Sequence, residues 1–405
     1  MRWPGPGVAS LERGTPALGR GTPRAISGPG TARGPQQVVI TGMSAVSAAG
    51  RGLDVVRDSV LSGTPAFSGV ARFDTGHCRT SVAAQLPGEP DLAGELTQVI
   101  EAAWTGAALG NDVRAGCPLL LALHSSPVAA RDPDARQVTG DTAATVAGRC
   151  GLRPVPRTYM TACVAASTAV IDAATMIVTG HASRVVVAAG FLVDADSFAL
   201  FDAGRALAAD GQVRPFSAGR QGLLLGDGLA AVVLESGAAA AGRDAPVAAV
   251  LAGWGRSGDA YHVCQPRPDG SGLARAVEAA LSRARADRAE ISYVNANGAG
   301  TQYADSSEAA ALHTSLGPYA ALTPVSSTKS VHGHALEASG LLELVVTVLA
   351  LQAGRLPVNA GYLAPDKECE LDLVLGPGRE PRGRYALNLN AAFGGANTAL
   401  LVEAA

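Results

Sequence analysis

Cys163 sits among small residues in Thr161-Ala162-Cys163-Val164-Ala165-Ala166-Ser167, at the head of an apolar segment that continues to Thr179. The segment reads as a buried helix stopped by Gly180, and the β-branched run Val185 to Phe191 reads as a buried strand behind it. A cysteine at a helix N-terminus gains from the dipole and from unpaired backbone N–H groups, which favour the nucleophilic thiolate. Small neighbours leave room for a substrate. The residue equally fits a plain packing role, because free cysteine is among the most buried residue types.

Three more stretches combine polar groups in unusual company. Val294-Asn-Ala-Asn-Gly-Ala-Gly-Thr301 puts a glycine-rich polar turn directly after a strand, with Asp305 and Glu308 following. It suits close approach of backbone to a ligand, and it equally suits a strand-to-helix turn. Ser326-Ser-Thr-Lys-Ser-Val-His-Gly-His334 gathers Lys329, His332 and His334 just before an apolar helix. Such a cluster needs buried partners and offers an acid, a base or a hydrogen-bond donor. Asn390-Ala-Ala-Phe-Gly-Gly-Ala-Asn397 is a small-residue turn that makes either an oxyanion pocket from backbone N–H groups or a simple hairpin.

The elements that must hold these residues alternate. Strand Gln37–Gly42, helix Gly52–Ser62 and further alternation to Gly190 and Leu229–Leu234 make a first series. A second runs through strand Pro246–Leu251, helix Gly272–Ala284, strand Ile291–Asn295, helix Asp305–Thr314, apolar helix Ala338–Ala353 and strands Tyr385–Leu389 and Thr398–Glu403. This is an α/β pattern with a mostly parallel sheet, divided at residues 37–240 and 241–405 into halves of similar order. Residues 1–36 carry five arginines against the single acid Glu12 among many glycines and prolines, and read as a disordered tail without the apolar core of a secretion signal.

A net charge of −3 gives no general drive towards nucleic acid or membrane. The apolar run Ala338–Leu351 is short for a membrane span and contains Glu343. Six scattered cysteines without a Cys-x-x-Cys pair fit a reduced, cytoplasmic setting and give no metal site.

In this order the four stretches, from about Val38 to Val402, resemble the β-ketoacyl synthase family, the condensing enzymes of fatty-acid and type II polyketide pathways. Arg214-Pro-Phe216, Arg220-Gln-Gly222, Gly226-Asp-Gly228, Asp259-Ala-Tyr-His262 and Pro268-Asp-Gly270 are similar to further family segments. The resemblance implies a thiolase fold, five αβαβα layers with duplicated halves, working as a homodimer or as a heterodimer with a ketosynthase-like subunit. It implies that Cys163 takes an acyl chain from the phosphopantetheine arm of an acyl carrier protein, with no bound cofactor. Backbone N–H groups of Cys163 and Phe393 would form the oxyanion hole, with Phe393 as gate. His334 and Lys329 match the family's histidine and lysine, and Asp305 and Glu308 its supporting acids.

The departures bear on function. Where the family reads HGTGT, this chain reads Asn297-Gly-Ala-Gly-Thr301. Asn297 donates a hydrogen bond but cannot shuttle a proton. Ala299 replaces a threonine that grips the pantetheine arm, Thr301 keeps the second contact, and Ala392 replaces a glycine and stiffens the gate. Three functions follow: acyl transfer through Cys163 without chain extension, decarboxylative condensation by Cys163, Asn297 and His334, or a non-catalytic partner subunit resembling a chain-length factor. Cys163 itself speaks against the last, since such subunits lack the cysteine.

Overall fold

The computed structural model describes residues 37–124 and 142–405. The expected tail, 1–36, lies outside them. The first half contributes β1 (Val38–Ser47), β2 (Pro118–Leu123), β3 (Arg153–Tyr159), β4 (Arg184–Phe191) and β5 (Gly228–Ser236). The second contributes β6 (Ala249–Gly258), β7 (Ile291–Asn295), β8 (Pro324–Ser326), β9 (Tyr385–Ala391) and β10 (Ala396–Ala404). Their order across one sheet is β8-β7-β9-β10-β6-β1-β5-β4-β2-β3, extended by short strands at Asp372–Leu373 and Gly50–Arg51.

Each half therefore has the same strand order, third-second-fourth-fifth-first, and the same directions. β2 lies parallel to β3 and β4, as β7 does to β8 and β9, while the fifth strand is antiparallel to both neighbours. The halves join where Val38, Val39 and Ile40 pair antiparallel with Leu251, Val250 and Ala249. The chain crosses between them through helix Gly237–Ala241.

Alternation along the strands sorts side chains into layers. On β2, Leu119, Leu121 and Leu123 pack outwards with Leu96, Ile100 and Trp104 of α1 (Leu92–Gly106). Leu120 and Ala122 face the middle, against Ala166 and Val170 of α2 (Ala165–Val178) and Leu341 and Val345 of a last long helix. On β9, Leu387 and Leu389 pack outwards with Val277 of α3 (Ser271–Ala284) and Leu312 of α4 (Gln302–Leu316). The last long helix, α5 (Ser339–Ala353), shares the middle layer with α2. The result is helix, sheet, helix pair, sheet, helix: the duplicated five-layer α/β architecture that the motifs imply. Close packing of the middle pair depends on Gly340, where a Cβ would stand 2.0 Å from Ser167 Oγ.

Four sequence expectations change. The sheet is mixed and not mostly parallel, because the first and fifth strands of each half run antiparallel to their neighbours. β1 runs on past Gly42 to Ser47, because Met43 to Ser47 keep pairing with β5 beyond a bulge. β6 spans Ala249–Gly258 and not Pro246–Leu251, pairing with β10 over its length. The apolar helix, with its leading turn, runs 18 residues from Leu336 to Ala353, long and apolar enough by length and composition to span a membrane, yet 83% of it is buried within the protein.

Candidate active site

In sheets of this kind ligands bind beyond the carboxyl ends of the parallel strands. β3 delivers Cys163 there. Its short turn, Ala162–Val164, precedes α2 directly, and Ala162 is held at φ 49°. A non-glycine residue in that region costs on the order of 1–3 kcal/mol and marks a position fixed by its surroundings. Cys163 is buried and unpaired, with 6% of its surface exposed. Here the expectation of a favoured thiolate fails: burial pushes the thiol up to about 12, the Glu337 charge acts in the same sense, and Lys329 opposes it. Desolvation outweighs the helix dipole, so the resting group is the thiol.

Beyond β7, Asn297 is held by its own loop. Glu308 on α4 accepts the backbone N–H groups of Asn297 and Gly298, both at 2.7 Å, and Asp305 accepts those of Phe216 and Gly300 at 2.8 and 3.1 Å. Burial pushes Asp305 up to about 6 and Glu308 up to about 7, against the pull of these donors. Both acids shape the loop. The Asn297 side chain accepts the Ala391 N–H at 3.3 Å through Oδ1, which orients its NH2 as a donor with no hydrogen bond to another described residue.

Beyond β8, the two histidines separate. His332 is fully buried, donating from Nδ1 to the Gly333 carbonyl (2.8 Å) and accepting from the Thr328 hydroxyl (2.9 Å). Burial, with Lys329, pulls it down to about 4, so it is a neutral structural residue. His334 takes the Leu336 N–H on Nδ1 at 3.0 Å, with the Ser339 hydroxyl at the same distance. A backbone N–H only donates, so we assign the neutral tautomer with its proton on Nε2. Burial, Lys329 and His332 hold His334 well below the usual histidine value. Like Asn297, it offers a donor and no base.

Lys329 is placed by residues that sequence reasoning passed over. Its ammonium lies 2.5 Å from Glu343 Oε1, whose other oxygen accepts from Asn390 Nδ2 at 2.6 Å. Ser167 on α2 donates to Asn390 Oδ1 at 2.6 Å. This buried chain ties α2, β9, α5 and the Lys329 turn together. Its signal was Glu343, a lone acid in an apolar helix, which a buried cation explains better than a break in a membrane span. Truncation by Glu343→Ala strands Lys329 without its counter-charge and is expected to cost about 3–5 kcal/mol. Urea unfolding of the parent and the variant measures it.

Phe393 occupies the β9–β10 turn, half exposed and stacked on Phe201 with ring centroids 6.0 Å apart. The turn's own bonds run from the Ala392 N–H to the Ala396 carbonyl and from the Gly395 N–H to the Ala392 carbonyl, and neither uses the Phe393 N–H. Ala392 keeps an ordinary backbone, so its Cβ fits. Thr301 caps the start of α4 by position, without a side-chain bond to the helix. Ala299 is a buried methyl among core residues. Of the supporting segments, Asp227 is fully buried and accepts the Leu86 and Val193 N–H groups, both at 2.7 Å, and Phe216 backs the Asn297 loop.

Comparison with known proteins gives the chain's family. Residues 103–240 match "Beta-ketoacyl synthase, N-terminal domain" and residues 248–362 match "Beta-ketoacyl synthase, C-terminal domain". The chain is 32% identical over 412 residues to "Putative polyketide beta-ketoacyl synthase 1" of Streptomyces cyaneus, covering 91% of this chain and 98% of the relative. It is 41% identical over 209 residues, about half of each chain, to the "Tetracenomycin polyketide synthase ketoacyl synthase alpha subunit" of Streptomyces glaucescens. Among solved structures, "The ishigamide ketosynthase/chain length factor" superposes with a TM-score of 0.82 at 27% identity, over 91% of this chain and 99% of that one. The repeated strand order, the paired middle helices and these likenesses identify a thiolase fold, and the chain belongs to the β-ketoacyl synthase family.

Proposed function

We propose that Cys163 accepts an acyl group from the phosphopantetheine thioester of an acyl carrier protein and passes it to an acceptor without extending it. The observation that carries this reading is Asn297. The group at this position holds its acceptor atom on the Ala391 N–H and has no proton to exchange, whereas malonyl decarboxylation in the family uses a histidine there. Acyl transfer needs a nucleophile, an oxyanion hole and a base that carries the Cys163 proton to the departing pantetheine sulfur; Cys163 and the N–H groups of Cys163 and Phe393 supply the first two in this reading. Thr301 is the remaining threonine for the pantetheine arm. This transfer calls for no metal or redox cofactor.

Decarboxylative condensation is the second reading, and a specific observation favours it: Asn297 and His334 both present donors, which is what an enolate oxygen asks for. The strand at the sheet edge, β3, is largely exposed and suits pairing with a second ketosynthase-like subunit, identical or not. A relative's structure is described as a ketosynthase/chain length factor, which supports such a partner. An unpaired nucleophilic thiol suits the reduced cytoplasm.

Intact-protein mass spectrometry separates the readings. The protein is mixed with an acyl-loaded carrier protein and a malonyl-loaded one. Transfer without extension gives an acylated Cys163 and persistent malonate. Appearance of a β-ketoacyl carrier overturns it in favour of condensation.

A further inference from the structure

Asn297 and His334 are donors, His332 is locked, and Lys329 is paired, so the groups assigned so far leave the pocket without a free base. Transfer to a protic acceptor needs one, because the proton lost by the acceptor must go somewhere as it attacks the thioester.

The structure supplies a candidate in His124. It stands immediately past the carboxyl end of β2, the strand equivalent by topology to β7, beyond which Asn297 lies. Its ring packs edge-on against Phe191 at the end of β4, with centroids 5.4 Å apart. Nδ1 lies 2.8 Å from Glu337 Oε2, so Nδ1–H donates to the carboxylate. The neutral ring then keeps a lone pair on Nε2, a buried atom without a hydrogen-bond partner among the described residues. Glu337 belongs to the turn Leu336–Ala338, which packs on both the Cys163 turn and β2. Its charge is the strongest electrostatic influence on the Cys163 thiol. A partly buried imidazole oriented by a carboxylate on one nitrogen, with the other nitrogen unpartnered among the described residues, has the arrangement of a general base and its orienting acid.

We propose that His124 and Glu337 form a second dyad in the Cys163 pocket, in which His124 Nε2 activates a neutral O–H acceptor, water in the simplest case, against the acyl group held on Cys163. This rests on the transfer reading above. His124 takes the proton from the acceptor as its oxygen bonds to the acyl carbon, and Glu337 stabilises the imidazolium. The tetrahedral intermediate then collapses, the carbon–sulfur bond breaks, and Nε2–H returns the proton to the Cys163 sulfur. Acyl thioester and acceptor O–H become acyl ester or acid and free thiol, with no redox change.

The test follows discharge of an enzyme first loaded to one acyl group per chain with excess octanoyl-pantetheine and then freed of donor. Loss of the acyl mass is timed in water and in concentrated glycerol, for the parent, His124→Gln and Glu337→Gln. Discharge about 100-fold slower in His124→Gln is expected. The groups facing the ring are Glu337 from its turn and Asp194 from the cap of helix Ala195–Ala203. Burial alone would lower the His124 pKa, but these charges and the Glu337 hydrogen bond hold it above the usual value. The parent rate should therefore rise with pH through that titration, the rise should vanish in His124→Gln, and it should move to lower pH in Glu337→Gln. Parent-like rates and pH profiles in both loaded variants overturn the proposal, as does a parent that keeps its acyl group in both media. If the parent takes up no acyl group, the transfer reading falls first and the dyad with it.

Discussion

Cys163→Ala is expected to abolish acyl uptake: no adduct mass on the variant after incubation with acyl carrier thioester, against one acyl group per chain on the parent. The substitution removes only the sulfur, and alanines already stand at 162 in the turn and at 165 at the start of α2, so the backbone at φ 49° next to it is retained. The effect is of covalent origin, because the variant lacks the sulfur that would form the thioester. An adduct on the variant, located by peptide mapping, would show that another residue accepts the acyl group.

Asn297→His is expected to raise malonyl decarboxylation by a factor of about 100, the low end of what one preorganised donor contributes to such a transition state. The loop is ready for the ring. The Ala391 N–H that now binds Asn297 Oδ1 would meet an imidazole nitrogen, and Glu308 holds the backbone of residues 297 and 298 independently of the side chain. Release of carbon dioxide from a malonyl carrier protein measures it. An unchanged rate would place the limiting defect elsewhere, with the missing threonine contact at Ala299 the next candidate.

Much of this was legible in the chain. β7 was readable to the residue, and the helix after Cys163 to within one residue at each end, because their apolar runs are bounded by turn residues. β6 was misplaced because Gly253, Gly255 and Gly258 look like a loop. The first two instead let α3 approach the sheet: a Cβ on either would stand 2.1 Å from a carbonyl oxygen of that helix. The thiol state of Cys163 was not readable, since local sequence shows the helix dipole but not the burial that opposes it. Nor was the pairing of His124 with Glu337, which are 213 residues apart and carry no local pattern.

The halves share three backbone-paired residues of β1 and β6 and the α2–α5 packing between the sheets, and the candidate site is divided between them, with Cys163 on one and Lys329, His334 and Asn297 on the other. Neither half on its own can assemble the pocket. During refolding, recovery of acyl uptake should thus act as a clock for docking of the halves, running behind the return of helical and strand signals.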